Sequence, residues 1–384
     1  MTVRSARKNW TGVVRVNLRN EVEEIYSAVL EKTGSNKIIM IILSNCLSDK
    51  TDEGTLKIVK NLTQRIKKYD PETKVVTYER CSALTDIYVH IPNIFRKAKL
   101  MISGQLHRVL KDLRTNVLFI PPPAKMISNA LRTFTLSIFA RWGLCVIMVM
   151  QLPICSLSKM LFRMSGATII TLSQDAASYY RRVLANNVIY IKAGVDTTKF
   201  KAVSREKKLA LRKKYGLPTD KPIVVHAGHL KKGRNIGQLL KIDERFHIVM
   251  VASTLMADEQ DRKLRAELEA KPNLTLIDTY LPHIEEVYQL ADVYFFPVQN
   301  AGNCVDIPLS VMEAAACQLA VVCTPYGELK EIMQWPGFFE ITTFDETEIN
   351  NQLHEAVQCN FNVRNAVLQY DWENAVQTLL NLKM

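Results

Sequence analysis

The chain lacks any apolar run of the ~18–20 residues needed to cross a bilayer as a helix. Its longest candidate, Leu144 to Ile154, is interrupted by Gln151 and Pro153 and reads as a buried strand. The start, Met1 to Trp10, is basic, but no apolar core of the secretory type follows it. No C-x-x-C pair occurs among the cysteines at 46, 81, 145, 155, 304, 317, 323 and 359. A zinc centre or disulfide framework is therefore not expected, and Cys317 and Cys323, in apolar surroundings, are predicted to be reduced core residues. There is no short-period repeat and no low-complexity tract. Hydrophobic residues make up 48% and charged residues 23%, which excludes a mainly disordered or fibrous chain. These absences predict a cytoplasmic protein, attached at most peripherally to a membrane face.

Charge is present, and unevenly. The first 200 residues carry 30 basic and 14 acidic side chains, a net +16, whereas residues 201–384 carry 20 and 24, a net −4. A basic half implies an anionic partner: nucleic acid, a membrane surface or a phosphorylated ligand. The cations are scattered over many predicted helices and form no nucleic-acid module, so nucleic acid is not the expected partner.

At 384 residues the chain is long enough for two domains. Strand-like β-branched runs alternate with helix-like segments through both halves. In the first half the predicted strands are Lys37 to Ser44, Lys74 to Tyr78, Ile87 to His90, Asn116 to Ile120, Cys145 to Met150, Thr168 to Leu172 and Val188 to Ile191. In the second they are Pro222 to His226, Phe246 to Val251, Leu274 to Ile277, Val293 to Phe296 and Leu319 to Cys323. Leu56, Val59, Leu62 and Ile66 repeat at helical spacing after the first strand. Such alternation predicts parallel sheets covered on both faces, hence an α/β chain with two doubly wound Rossmann-like domains facing a central cleft. The predicted boundaries are 1–195, with 1–36 as an extension holding a helix over Glu21 to Lys32, then 196–365, then a final helix over 366–384. The seam falls near Gly194 to Pro222. Ligands of such sheets bind at the carboxyl ends of strands.

Two loops after strands in the second half carry chemistry. Ala227-Gly-His-Leu-Lys-Lys-Gly-Arg-Asn-Ile236 combines glycines, His229 and three basic side chains, then enters a predicted helix over Ile236 to Leu240. Cations and free helix N–H groups suit a diphosphate; a solvated basic turn is the alternative. Pro297 to Ala316 contains Asp306, then Pro308 where a helix opens, then Glu313 inside an apolar run. A carboxylate among Val311, Met312 and Ala314 to Ala316 is costly to bury unpaired. It is expected to accept hydrogen bonds from the hydroxyls of a sugar or ribose, or to be exposed or salt-bridged instead.

These segments resemble the donor-binding signature of the GT-B glycosyltransferases of family 4, the retaining nucleotide-sugar enzymes. That family follows a strand with Gly-Arg-Leu-x-x-x-Lys-Gly; here stands Gly228-His-Leu-Lys-Lys-Gly-Arg234, with His229 in the Arg position and Arg234 in the Lys position. Its Glu-x7-Glu is matched at the second acid and the tail by Glu313-Ala-Ala-Ala-Cys-Gln-Leu-Ala-Val-Val322. The first acid would fall at Val305 and is missing, with Asp306 one residue on. Ala193 to Phe200 is similar to the family's domain junction, and Thr279 to Tyr294 to its base-binding turn and following helix. Gly327 with Glu331, and Tyr370 to Val376, are similar to its later glycine–acid motif and its returning last helix.

The resemblance implies that Arg234 and His229, with Lys232 nearby, grip the donor diphosphate beside Gly228. It implies that Glu313 binds the ribose hydroxyls and Asp306 contacts the transferred sugar. Backbone N–H groups of Leu309 and Ser310 would face the phosphates, and Tyr280 and Leu281 would lie near the base. Fixed cations and a helix dipole would stabilise the departing diphosphate without a metal. On the acceptor side, His90 is the ionisable candidate at a strand end, with a purely structural histidine as the alternative.

Lys125 to Arg141 and Lys159 to Arg163 mix apolar and basic residues in the manner of helices lying in a membrane interface, or of helices packed on a sheet. The first reading predicts anionic-membrane contact through Arg132, Arg141, Lys159 and Arg163. The implied activity is transfer of a sugar from a nucleotide-sugar donor to a lipid-linked or glycan acceptor; a non-catalytic nucleotide-sugar-binding or partner subunit of the same fold stands as the alternative.

Overall fold

The computed structural model describes residues 40–49, 53–253, 261–300 and 302–382. The predicted extension 1–36 and its helix lie outside them. Two all-parallel sheets form. The first has seven strands in the order β3-β2-β1-β4-β5-β6-β7: β1 (Ile41–Ser44), β2 (Lys74–Thr77), β3 (Ile87–Tyr88), β4 (Val117–Ile120), β5 (Leu144–Met148), β6 (Thr168–Thr171) and β7 (Val188–Tyr190). The second has six in the order β10-β9-β8-β11-β12-β13: β8 (Ile223–Gly228), β9 (His247–Ala252), β10 (Leu274–Ile277), β11 (Val293–Phe296), β12 (Ala320–Cys323) and β13 (Phe338–Glu340). The doubly wound expectation is thus met twice.

Burial explains why these runs are strands. Every residue of β1, β4, β5, β11 and β12 is buried, so no polar face is required and β-branched side chains fill both sides. The edge strand β13 escapes sequence reading because three residues, partly exposed, show no pattern. The segment predicted as a helix after the basic loop is a 3-10 helix, Ile236–Lys241. It enters through Asn235 in the left-handed region (φ 55°), whose side-chain amide donates to Pro297 O at 3.1 Å.

In each sheet the order reverses between the first strand and the fourth, between β1 and β4 and between β8 and β11. The loops leaving those strands diverge there and leave a crevice. One apolar cluster runs without a break from Ile42 and Ile58 through Ile307 and Leu309 to Trp372 and Val376, so the two sheets share a core. The helix Gly54–Tyr69 buries Leu56, Val59, Leu62 and Ile66 and is capped by Glu53, whose carboxylate accepts from the N–H groups of Thr55 and Leu56 at 3.1 Å each. The final helix, Trp372–Asn381, lies against it, with Tyr69 Oη donating to Glu373 at 2.6 Å.

The helix Met126–Ser137 packs onto the first sheet: Met126, Ala130 and Leu136 are buried. Arg132, expected at a membrane face, is 9% exposed and donates to Asn129 Oδ1 at 3.2 Å, because the helix turns that side inward. Among the described residues no helix is long and apolar enough to cross a membrane.

At the chain's crossing between the sheets, backbone bonds are joined by the Asp371 carboxylate. Val195 N donates to Tyr370 O at 3.2 Å and Trp372 N to Val195 O at 3.0 Å. Asp371 accepts from Thr197 Oγ1 at 2.5 Å and Thr197 N at 2.9 Å, and its other oxygen caps the last helix at Glu373 N, 2.8 Å. Hydrogen bonds to a charged group contribute more than neutral ones. Asp371→Ala is expected to destabilise the protein by about 2 kcal/mol in urea unfolding, with Asp371→Asn costing less.

Candidate active site

The cleft opens at both reversal points. Among the described residues its second-domain wall includes Gly228, His229, Arg234, Tyr280, Leu281, Asn303, Leu309 and Ser310, and its first-domain wall includes Glu53, Gly54 and Lys57. Most of the residues implicated by sequence are therefore brought together.

The wall is built from β8 outward. Gly228 ends that strand, and the Arg234 guanidinium lies directly over it: a Cβ at 228 would stand 2.8 Å from Arg234 Nη1. A side chain there would push the guanidinium off this position. Arg234 makes no ion pair with the described residues, so its charge is available to a ligand. Beneath it His226 is fully buried, with Nδ1 2.8 Å from Phe295 O. Burial first, and Arg234 in addition, push its pKa down to about 4 against the opposing Phe295 bond, so the ring is neutral near neutrality and adds no charge. Tyr294, also buried, ties its hydroxyl to Ala227 O at 3.2 Å and fixes the end of β8. The side chain of Lys232 lies outside the described residues.

Facing this loop is the start of the helix Leu309–Ala316, whose N-cap is Pro308. Its first intrahelical bonds run from Val311 and Met312 to Pro308 O, so the N–H groups of Leu309 and Ser310 precede the ladder, at the positive end of the helix. A turn deeper, Glu313 is 4% exposed. It is salt-bridged: Lys57 Nζ stands 2.7 and 2.9 Å from its two oxygens, and Tyr288 Oη donates at 3.0 Å. Burial and the Glu313 charge raise the Tyr288 pKa, so the phenol stays protonated and donates.

Of three further positions, one lines the cleft and two lie outside it. Val305, at the place of the missing acid, lines the cleft and packs against Gly54 across it; a Cβ on Gly54 would be 3.2 Å from Val305 Cγ2. Asp306 does not line the cleft. Its N–H donates to Val149 O at 2.9 Å and its carbonyl accepts from Glu328 N at 2.9 Å, which turns the carboxyl into the seam. Gly327, at φ +51°, lets that happen, since a Cβ there would fall 2.0 Å from Asp306 O. His90 is exposed and also outside the cleft; it follows the two-residue β3, with its N–H bonded to Gln105 Oε1 at 2.8 Å. Sequence reading missed Lys57 and Tyr288. The signal for Lys57 was its place in the first turn after the strand at the reversal point.

The comparisons agree with the geometry. Residues 221–358 match the family model described as Glycosyl transferases group 1. The putative teichuronic acid biosynthesis glycosyltransferase TuaC of Bacillus subtilis is 21% identical over 233 residues, covering 56% of this chain and 58% of that protein. The match thus spans less than two thirds of that relative. A glycosyltransferase from Rickettsia africae superposes with a TM-score of 0.70 at 12% identity, over 91% of this chain and 98% of that one. Anabaena HepE, in complex with UDP and glucose, gives 0.65 at 15%, over 90% and 98%. The chain has the fold of these glycosyltransferases, and its second domain carries the group 1 match.

Asp306 has a measurable signature. Burial, reinforced by Asp175 and Glu328 and opposed by the Gln151 N–H, pushes its pKa up to about 7. Its folded pKa lies above the unfolded one, so its contribution to stability is complete below ~3.9 and is lost as pH rises through about 7. Asp306→Asn is expected to flatten the decline in thermal stability across that window. An unchanged slope would remove the assignment.

Proposed function

We propose that the protein is a retaining, family 4-type glycosyltransferase that takes a nucleoside diphosphate sugar as donor and a lipid-linked or glycan hydroxyl as acceptor. The observation that carries the reading is Arg234, a cation without an ion pair among the described residues, held over Gly228 opposite the open end of the helix Leu309–Ala316, with the buried acid Glu313 one turn deeper. Cation and helix end suit a diphosphate; Glu313 suits the ribose diol; Tyr280 and Leu281 suit the base. HepE binds UDP with glucose, which fits the same chemistry. In the reaction the bond between the anomeric carbon and the diphosphate breaks and the diphosphate leaves with the electron pair. The acceptor oxygen bonds to that carbon and its proton passes to the departing phosphate. Arg234 and the helix N–H groups stabilise the charge that builds up. A non-catalytic binding subunit is the second reading, favoured by Val305 in place of an acid.

A thermal-shift panel of UDP, GDP and ADP sugars tests the donor. A ligand at 100 times its Kd stabilises by about 2.7 kcal/mol, and Arg234→Ala is expected to abolish the shift. No shift with any donor overturns both readings, and a shift without sugar transfer selects the second.

The acceptor side points to an anionic membrane. Between Asp86 and Asp175 there are eleven Lys and Arg residues and one acid, Asp112. The same stretch exposes Ile94, Ile138, Trp142, Leu157, Met160 and Met164, each at least 49% accessible. Cations interleaved with exposed apolar groups suit an interface rich in anionic lipid. At ~1 kcal/mol per basic residue, neutralising Arg141, Lys159 and Arg163 together is expected to weaken binding to phosphatidylglycerol vesicles roughly 100-fold. Equal binding to zwitterionic vesicles would overturn this location.

A further inference from the structure

The acid assigned to the ribose is already occupied. Lys57 Nζ straddles both oxygens of Glu313, and Tyr288 takes a third position. A carboxylate offers about four lone-pair sites. Two neighbouring hydroxyls need two of them, and three are taken. A diol therefore reaches Glu313 only when the ammonium moves.

An ammonium that leaves Glu313 for a cleft partly shielded from water is favoured by another anion within reach. The near candidate on its own helix, Glu53, is committed to capping Thr55 and Leu56. Val305 replaces the acid that the facing wall would otherwise offer. The remaining anion is the one that arrives with the ligand. Lys57 lines the cleft opposite Gly228 and Arg234, its side chain is 19% exposed, and its flexible stem permits the swing.

We propose that Lys57 is a donor-binding residue: the ribose diol displaces it from Glu313, and its ammonium transfers to the donor diphosphate, opposite Arg234. The proposal rests on the nucleotide-sugar reading above. It makes the phosphates a bridge between the domains, with one cation from each, so that the empty and loaded states exchange one interdomain ion pair for another.

The test compares a nucleoside diphosphate with its nucleoside, UDP with uridine and likewise for guanosine and adenosine, by calorimetry on the full chain. In Lys57→Met, affinity for the diphosphate is expected to fall relative to the nucleoside by roughly tenfold or more, while the nucleoside binds as well or better. Lys57→Arg is expected to restore the ratio. If Lys57 only plugs Glu313, Lys57→Met tightens both ligands equally and the ratio stays fixed, which overturns the proposal. A ratio unchanged with neither affinity altered also overturns it. A wild-type protein that binds none of the diphosphates defeats the nucleotide-sugar reading itself, and is distinguished by that. Thermal unfolding of each variant without ligand confirms that it folds.

Discussion

A carboxylate withdrawn from water has to be answered by hydrogen-bond donors or cations, and Glu313 is answered from both domains. Tyr288 comes from its own domain and Lys57 from the other. The helix that carries Glu313 also presents its N–H groups to the cleft, and the helix that carries Lys57 is capped by Glu53 at the cleft rim. One ion pair between residues 57 and 313 thereby fixes how the two helix starts face each other. The apolar cluster shared by both sheets supplies bulk cohesion, but it has no direction. The ion pair and the seam bonds of Val195 and Asp371 supply the orientation.

A second set of acids lies along the seam, and its chemistry is different. Glu328 is fully buried and accepts from Gln174 N at 2.8 Å and Tyr370 Oη at 2.7 Å, with Tyr190 Oη closer still. Burial raises its pKa, and these donors oppose the rise. Asp306 nearby has fewer donors and keeps one oxygen buried without a hydrogen bond from the described residues. The seam thus tolerates one acid by satisfying it and the other by favouring its neutral form. The cleft holds its acid by direct ion pairing. The neighbouring residues 305 and 306 mark the border between the two regimes, and a one-residue step there decides which side chain meets a ligand.

The strands were legible because a fully buried parallel strand is an apolar, β-branched run, and the twelve predicted from sequence all occur. The second-domain half of the candidate site was legible because its parts sit in two continuous stretches, the loop Gly228 to Arg234 and the helix start Leu309 to Glu313. The edge strand Phe338–Glu340 was too short to show a pattern. Lys57 could not be read as a partner of Glu313, since 256 positions separate them and only domain packing brings them together. Arg132 was misread for a related reason: a helix with apolar residues on several faces does not announce which side the sheet will cover. His90 and Asp306 were placed by spacing along the chain, and tertiary bonds carried both away from the cleft.

The charge asymmetry acquires a structural meaning from this separation. Local binding of phosphate needs one or two fixed cations at short range, and the mildly acidic second domain supplies Arg234 without a broad positive field. Part of the excess in the first domain lies beside exposed apolar side chains, Trp142 in the loop before β5 and Leu157 and Met164 on the helix Ser156–Ser165. Exposed hydrophobics of that size cost solubility unless something covers them. Cations alone would serve a polyanion, and apolar groups alone would serve another protein. Their combination between Asp86 and Asp175, where Asp112 is the single acid, is what the proposed bilayer contact would use, with headgroups meeting the cations and the acyl boundary receiving the rings and chains.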